Sequence, residues 1–264
     1  MDRVEVEGLT IAYERAGAGP ALVLLHGFVG DSREWRRQVD ALSDAFTVVA
    51  WDAPGAGRSS DPPESFRMPD YADCLALFVE ALRLEHPNVV GLSFGGALAL
   101  ELYRRHPAVP STLVIAGGYA GWPGSLPAEV WERRLAVSLQ VSELPGDQFA
   151  EAMLPTLFSE SAPADRVDEF AGIMSEFHPG GFRAMAWSTA ETNLRDVLGR
   201  IEIPTLLVYG DADVRASPVV GEDLHAAIPG SKLTVLPAVG HMMNVEAAEQ
   251  LNDEIRSFLL EVRG

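Results

Sequence analysis

Polar and apolar residues alternate over residues 3–6 and again over 9–14, on either side of Gly8. Period-two alternation around a turn glycine predicts an antiparallel hairpin at a sheet edge. The next apolar segments are of another kind. Residues 21–25 and 47–51 are almost continuous hydrophobic runs, as expected of strands covered on both faces. The run ending at Gly91, and residues 111–116, 205–209 and 232–236, complete a set of eight strands. Helical spacing fills the gaps. Trp35, Val39 and Leu42 share one face, and Tyr71, Leu75, Phe78 and Leu82 predict a helix near 69–84. Another helix runs from the Gly95 region to about His106, where Pro107 stops it. Ser217-Pro218 reads as an N-cap with proline at the first helical position, and Leu251, Ile255 and Phe258 mark a final amphipathic helix. Strand and helix in alternation predict a mostly parallel sheet with helices on both faces.

The alternation breaks after Gly118. From residue 119 to about 200 no strand-like run occurs, and Pro123, Pro127, Pro145, Pro155, Pro163 and Pro179 cut an aromatic-rich stretch into short helices. The expectation is a core formed by 1–118 and 200–264. A helical cap of 119–199 would be inserted in it and end in a return helix near 184–199. Most of its large apolar residues must be the cap's own core. A few must face the gap above the sheet, and Trp122 and Trp187 are the candidates for substrate contact.

Composition narrows the classes. A chain of 264 residues with 47% apolar content forms one sizeable domain, or a domain with an insertion. No apolar run approaches the ~20 residues of a membrane span. Residues 1–7 mix charge with valine, unlike a signal peptide. The single cysteine, Cys74, allows no internal disulfide and suits a reducing cytoplasm. A net charge of −18 repels nucleic-acid phosphates. The expected partner is a small molecule, with neither nucleic acid nor membrane involved and the chain a monomer or homodimer.

The chemistry centres on Gly91-Leu92-Ser93-Phe94-Gly95-Gly96, set between a strand and a helix. G-x-S-x-G at a strand-to-helix turn is the nucleophile-elbow pattern, in which the serine stands at a strained tip and flanking glycines let strand and helix cross closely. A serine needs a base, and the base an orienting carboxylate. In an open parallel sheet such groups lie at the carboxyl ends of strands. His241 follows the last strand, and Asp211 and Asp213 follow the one before. His86, His106 and His225 fall at helix ends or surfaces, and His178 sits beside Pro179 in the insert. No metal-ligand cluster is visible, Gly55-Ala56-Gly57-Arg58 lacks the lysine and spacing of a phosphate loop, and no cofactor is expected.

Five motifs together resemble the α/β-hydrolase superfamily over nearly the whole chain. They are His26-Gly27-Phe28, the stretch Asp52-Ala53-Pro54-Gly55-Ala56-Gly57-Arg58-Ser59, the elbow, Gly210-Asp211-Ala212-Asp213, and Gly240-His241. The resemblance implies an eight-stranded, mostly parallel α/β-hydrolase sheet with a helical cap after the sixth strand. It selects Asp213 over Asp211 as the acid and implies an oxyanion hole from the amides of Phe28 and Phe94. Substrate contacts are expected from Phe28, Trp122, Trp187 and Met242. Dehalogenases and epoxide hydrolases of the superfamily carry aspartate where Ser93 stands. Carbon–carbon bond hydrolases usually carry tryptophan where Met242 stands, and proline-type aminopeptidases carry it where Phe94 stands. The elbow looks much like that of enol-lactonases. The expected activity is therefore hydrolysis of an apolar carboxylic ester or lactone. A slow-turnover small-molecule receptor or signalling protein on the same fold, or a hydrolase of ring-fission products, is the alternative. Perhydrolase or cofactor-free haloperoxidase activity would be a side reaction of the same triad.

Overall fold

The computed structural model describes residues 1–263. Eight strands form one sheet: β1 (Asp2–Val6), β2 (Leu9–Ala16), β3 (Ala21–Leu25), β4 (Thr47–Trp51), β5 (Asn88–Leu92), β6 (Thr112–Ala116), β7 (Thr205–Gly210) and β8 (Lys232–Leu236). Their spatial order is β1-β2-β4-β3-β5-β6-β7-β8. β1 and β2 pair antiparallel, as the alternation around Gly8 predicts, and β2 joins β4 antiparallel. Every pairing from β4 through β8 is parallel. The continuous apolar runs behave as expected. Every residue of β4, β5, β6 and β7 is buried, whereas β8, at the sheet edge, is largely accessible.

Helices cover both faces. Met68–Ala81 packs against Phe94–Arg105, and Arg36–Leu42 against Ala248–Glu261. β6 and β7 are sheet neighbours, yet nearly ninety residues separate them, and among the described residues that stretch contains only helices and turns. One expectation changes there. The continuous return helix near 184–199 is two pieces, Pro179–Glu191 and Arg195–Leu198. Thr192 takes extended backbone angles, and the Asn193 side chain accepts the Arg195 amide at 3.1 Å. An Asx residue that satisfies an amide two positions on competes with helix continuation. Ser217 does precede the helix Pro218–Ala227, but its side chain makes no capping hydrogen bond.

β5 enters its helix through close backbone packing. A Cβ on Gly91 would collide with the Gly95 carbonyl, and one on Gly95 with the Leu25 carbonyl. Gly96 sits against Gly118, whose Cα lies 3.1 Å from where a Gly96 Cβ would be. Gly91→Ala should therefore destabilise the protein by about 2–3 kcal/mol, the usual range for overpacking. Gly172, inside the helix Ala164–Ser175, has open space around it, so Gly172→Ala should stabilise by up to about 1 kcal/mol. Urea unfolding midpoints of the two variants test the contrast.

Candidate functional site

Ser93 is the pivot between β5 and the helix Phe94–Arg105. Its backbone lies at φ 53° and ψ −109°, a left-handed region unusual for a residue with a side chain. Three hydrogen bonds hold it there. Its amide donates to the Ala116 carbonyl at 2.9 Å, and its carbonyl accepts from Gly96 at 3.0 Å and Ala97 at 3.2 Å. The Phe94 amide is in the first helical turn, where N–H groups have no intrahelical acceptor, and it points with the positive end of the helix dipole.

His241 and Asp213 arrive from the ends of β8 and β7. The His241 Nδ1 and Asp213 Oδ2 atoms are 2.7 Å apart, and both residues are buried. The other Asp213 oxygen accepts the Arg215 amide at 2.7 Å and the Ala216 amide at 2.9 Å. These three donors fix the carboxylate and, through it, the ring. Asp211 is exposed and accepts the Ala238 amide, a turn role. Gly117 lies against the imidazole and Gly118 near the serine backbone. A Cβ on Gly117 would stand 3.2 Å from His241 Nδ1, and one on Gly118 would stand 3.7 Å from the Ser93 carbonyl oxygen. Among the described residues no hydrogen bond joins the Ser93 hydroxyl to His241.

Phe28 faces the same region from the loop after β3. Its ring packs on Phe182 at 5.0 Å and edge-on to Trp122 at 6.2 Å, and Phe182 continues the cluster to Phe149 at 4.9 Å. Trp122 thus packs on Phe28, while Trp187 is half-buried on the helix Pro179–Glu191, with no ring contact to Phe28 among the described residues. Met242 is buried beside His241, with its amide donating to the Leu157 carbonyl at 3.0 Å. That bond fastens the helical stretch to the histidine loop.

Several residues with no legible signal hold the site loops. The Gly27 amide donates to Glu34 Oε1 at 3.3 Å, and the Asn244 side chain donates to the same oxygen at 3.1 Å. Glu34 is buried, and burial, followed by nearby Asp31, pushes its carboxyl well above the usual range against the opposing hydrogen bonds. Burial thus favours the neutral acid more than it would be favoured in an exposed glutamate. His26 accepts the Ala53 amide on Nε2 at 2.9 Å, which leaves Nδ1 to donate to the Gly27 carbonyl at 2.6 Å. Asp52 accepts the Ser32 and Arg58 amides, each at 2.8 Å, so the 52–59 motif is a folded turn around a buried carboxylate. Glu246 accepts the amides of Gly240 at 3.2 Å and Ser159 at 3.1 Å, next to His241.

Comparison with known proteins adds four findings. A family model described as the alpha/beta hydrolase fold matches residues 20–248. A solved structure of a thermophilic esterase from Thermogutta terrifontis, with malate bound, is similar at 29% identity and TM-score 0.92, covering 100% of both chains. Another, of Est816, titled an N-acyl homoserine lactone degrading enzyme, is similar at 26% identity and TM-score 0.83, covering 97% of this chain and 100% of its own. A curated relative from Cronobacter turicensis, named "Putative carbamate hydrolase RutD", is 28% identical over 249 residues, or 88% of each chain.

The buried Glu34 carboxyl sets a pH-dependent expectation. Its folded-state pKa lies above its unfolded value, so the folded state binds more protons and stability falls as pH rises past about 4.3 toward the folded pKa. Glu34→Gln removes that titration. Thermal unfolding at pH 5 and pH 8 should show the variant's stability relative to wild type improving as pH rises.

Proposed function

The chain belongs to the alpha/beta hydrolase fold family, and from that premise we propose that it is a serine hydrolase that cleaves a carboxylic ester or lactone bearing an apolar group. The observation that carries the reading is the buried 2.7 Å contact between His241 and Asp213, at the same edge of the parallel sheet as a serine in a strained turn. A conformation costing about 1–3 kcal/mol is kept only where the surroundings impose it, and such positions cluster at active sites. Similarity to an esterase and to a lactone-degrading enzyme supports the substrate class.

In this mechanism Ser93 Oγ attacks the acyl carbon while His241 Nε2 takes its proton. The hydrogen bond between them forms as substrate binds, since catalytic contacts often tighten only then. Asp213 holds the Nδ1–H tautomer and stabilises the imidazolium. The Phe28 and Phe94 amides receive the oxyanion, each worth roughly 3–4 kcal/mol in comparable sites. His241 then protonates the leaving alcohol, and the acyl-enzyme is hydrolysed by the same relay run with water. Residues 119–199 act as the cap, with Phe28, Trp122 and Phe182 walling the acyl pocket. The reaction needs no cofactor. A cytoplasmic enzyme working on a small molecule, without nucleic-acid or membrane partners, fits this chemistry.

Ser93→Ala should lower kcat for ester hydrolysis by about 10^6-fold while circular dichroism and melting stay native-like. Asp213→Asn should lower kcat by about 10^4-fold, and Asp211→Asn by far less. A panel of p-nitrophenyl esters, lactones and aryl carbamates at neutral pH reads all three. Retained turnover in Ser93→Ala would remove the nucleophile assignment, and faster turnover of carbamates than of esters would move the substrate class.

A further inference from the structure

Tyr209 carries a buried hydroxyl that the proposed reaction does not use. It is the last residue but one of β7, the strand that leads to Asp213, and it is fully buried. Its hydroxyl donates to the Gly118 carbonyl at 2.7 Å, and among the described residues no other group donates to that carbonyl. The residue before it, Val208, accepts the Gly117 amide at 2.9 Å. Two consecutive residues of β7 therefore hold two consecutive residues of the turn that follows β6. Burial pushes the Tyr209 pKa well above its ordinary value, with Tyr119 and Asp213 adding to the shift, so the phenol stays protonated and remains a donor.

The turn gives this bond its importance. Gly117, at φ 53°, lies against the His241–Asp213 contact: a Cβ there would stand 3.2 Å from His241 Nδ1 and 3.4 Å from Asp213 Oδ2. Gly118 lies against the helix that starts after Ser93. A Cβ on Gly118 would stand 3.3 Å from the Gly96 Cα, and one on Gly96 would stand 3.1 Å from the Gly118 Cα. One turn thus touches both the imidazole and the segment that carries the serine. Two adjacent glycines have wide conformational freedom, so their path must be fixed from outside. Tyr209 is itself fixed, because its ring lies on Gly221, where a Cβ would come 2.5 Å from ring Cδ2. A close-packed path therefore runs from the helix Pro218–Ala227 through the Tyr209 ring and hydroxyl to Gly118. Interiors packed this closely transmit displacement rather than absorb it.

We propose that Tyr209 is a positioning residue for the reaction: its hydroxyl fixes the Gly117–Gly118 turn and, through that turn, the placement of His241 relative to Ser93. This rests on the proposed hydrolase reading and adds to it a residue outside the Ser93, Asp213 and His241 constellation. Tyr209 acts through the backbone of the turn and takes part in no proton transfer. Removing its hydroxyl leaves the Gly118 carbonyl buried without a donor, and the turn must shift to find one.

Tyr209→Phe keeps the ring and removes the bond. Tyr103→Phe is its matched control, since the Tyr103 hydroxyl also donates to a backbone carbonyl, that of Arg200 at 3.2 Å, at the far end of the helix Phe94–Arg105. With p-nitrophenyl butyrate, Tyr209→Phe should lower kcat at least tenfold with KM within threefold of wild type, because misplaced reacting groups cost rate more than binding. Tyr103→Phe should leave both constants within twofold. Gly221→Ala, which presses on the ring, should lower kcat by itself but not further when added to Tyr209→Phe, a non-additive pair. Labelling of Ser93 by a fluorophosphonate, followed by intact-mass spectrometry, should slow at least tenfold in Tyr209→Phe. An unchanged kcat in Tyr209→Phe, an equal loss in Tyr103→Phe, or additive losses in the pair would overturn the proposal. Should Tyr209→Phe fail to fold, Gly221→Ala alone must show the fall in kcat at constant KM, or the proposal fails. A wild type that takes the label at Ser93 without hydrolysing esters would overturn the ester reading, and the labelling rates would then decide the role of Tyr209. A wild type that does neither would overturn both.

Discussion

The strained backbone at Ser93 is the constraint on which the site is built. A residue with a Cβ at φ 53° is unfavourable by itself, and the fold holds it by closing every escape. The amide is tied to β6 through Ala116, and the carbonyl is consumed by the first turn of the following helix. Gly91 and Gly95 allow backbone to approach backbone, so the strand-to-helix angle cannot open without losing that packing. The strain is therefore maintained by the central sheet, whose strands β4 to β7 are buried throughout. A rigid scaffold of this kind can keep a hydroxyl clear of the sheet without help from the serine side chain.

The loops around Ser93 lack this support and use buried polar groups in its place. Glu34 and His26 hold the turn before Phe28, the Asp213 carboxylate is held by the chain that follows it, and Glu246 holds Gly240 beside His241. Each bond contributes only about 1 kcal/mol to stability. Their larger effect is geometric, because a buried acceptor that loses its donor is left unsatisfied and unfavourable. The loops thus have one well-satisfied arrangement. The Leu157–Met242 and Ser159–Glu246 bonds extend it to the helical stretch, so movement of that stretch bears directly on the histidine loop.

What the sequence made legible was whatever a single segment encodes. Continuous apolar runs located the buried strands, alternation around Gly8 located the edge hairpin, and glycine spacing located the turn at Ser93. Chain order and strand ends narrowed the partner of His241 to Asp211 or Asp213, and the family resemblance singled out Asp213, the carboxylate that meets the ring. The holding groups escaped because their partners are remote. Gln38 and Glu34 meet Asn244 across more than two hundred residues, and before folding each reads as an ordinary polar helix residue. Phe182, which meets Phe28 from the helix Pro179–Glu191, carried no signal that set it apart from the other aromatic residues of the insert. The helix break at Thr192–Asn193 turned on one side-chain hydrogen bond, which periodicity does not register.

Phe28 connects these layers. Its backbone continues from Gly27, which Glu34 and His26 hold, while its ring is wedged between Trp122 and Phe182 with the Arg215 guanidinium over it. A ring confined on three sides has little rotational freedom, and its χ1 is coupled to the backbone angles that aim its own amide. A change in the aromatic wall is therefore felt at that amide as well as in the volume of the pocket. Pocket shape and loop geometry on this side of Ser93 are one mechanical unit, and the insert contributes two of its three faces without supplying any part of the Ser93, Asp213 and His241 constellation.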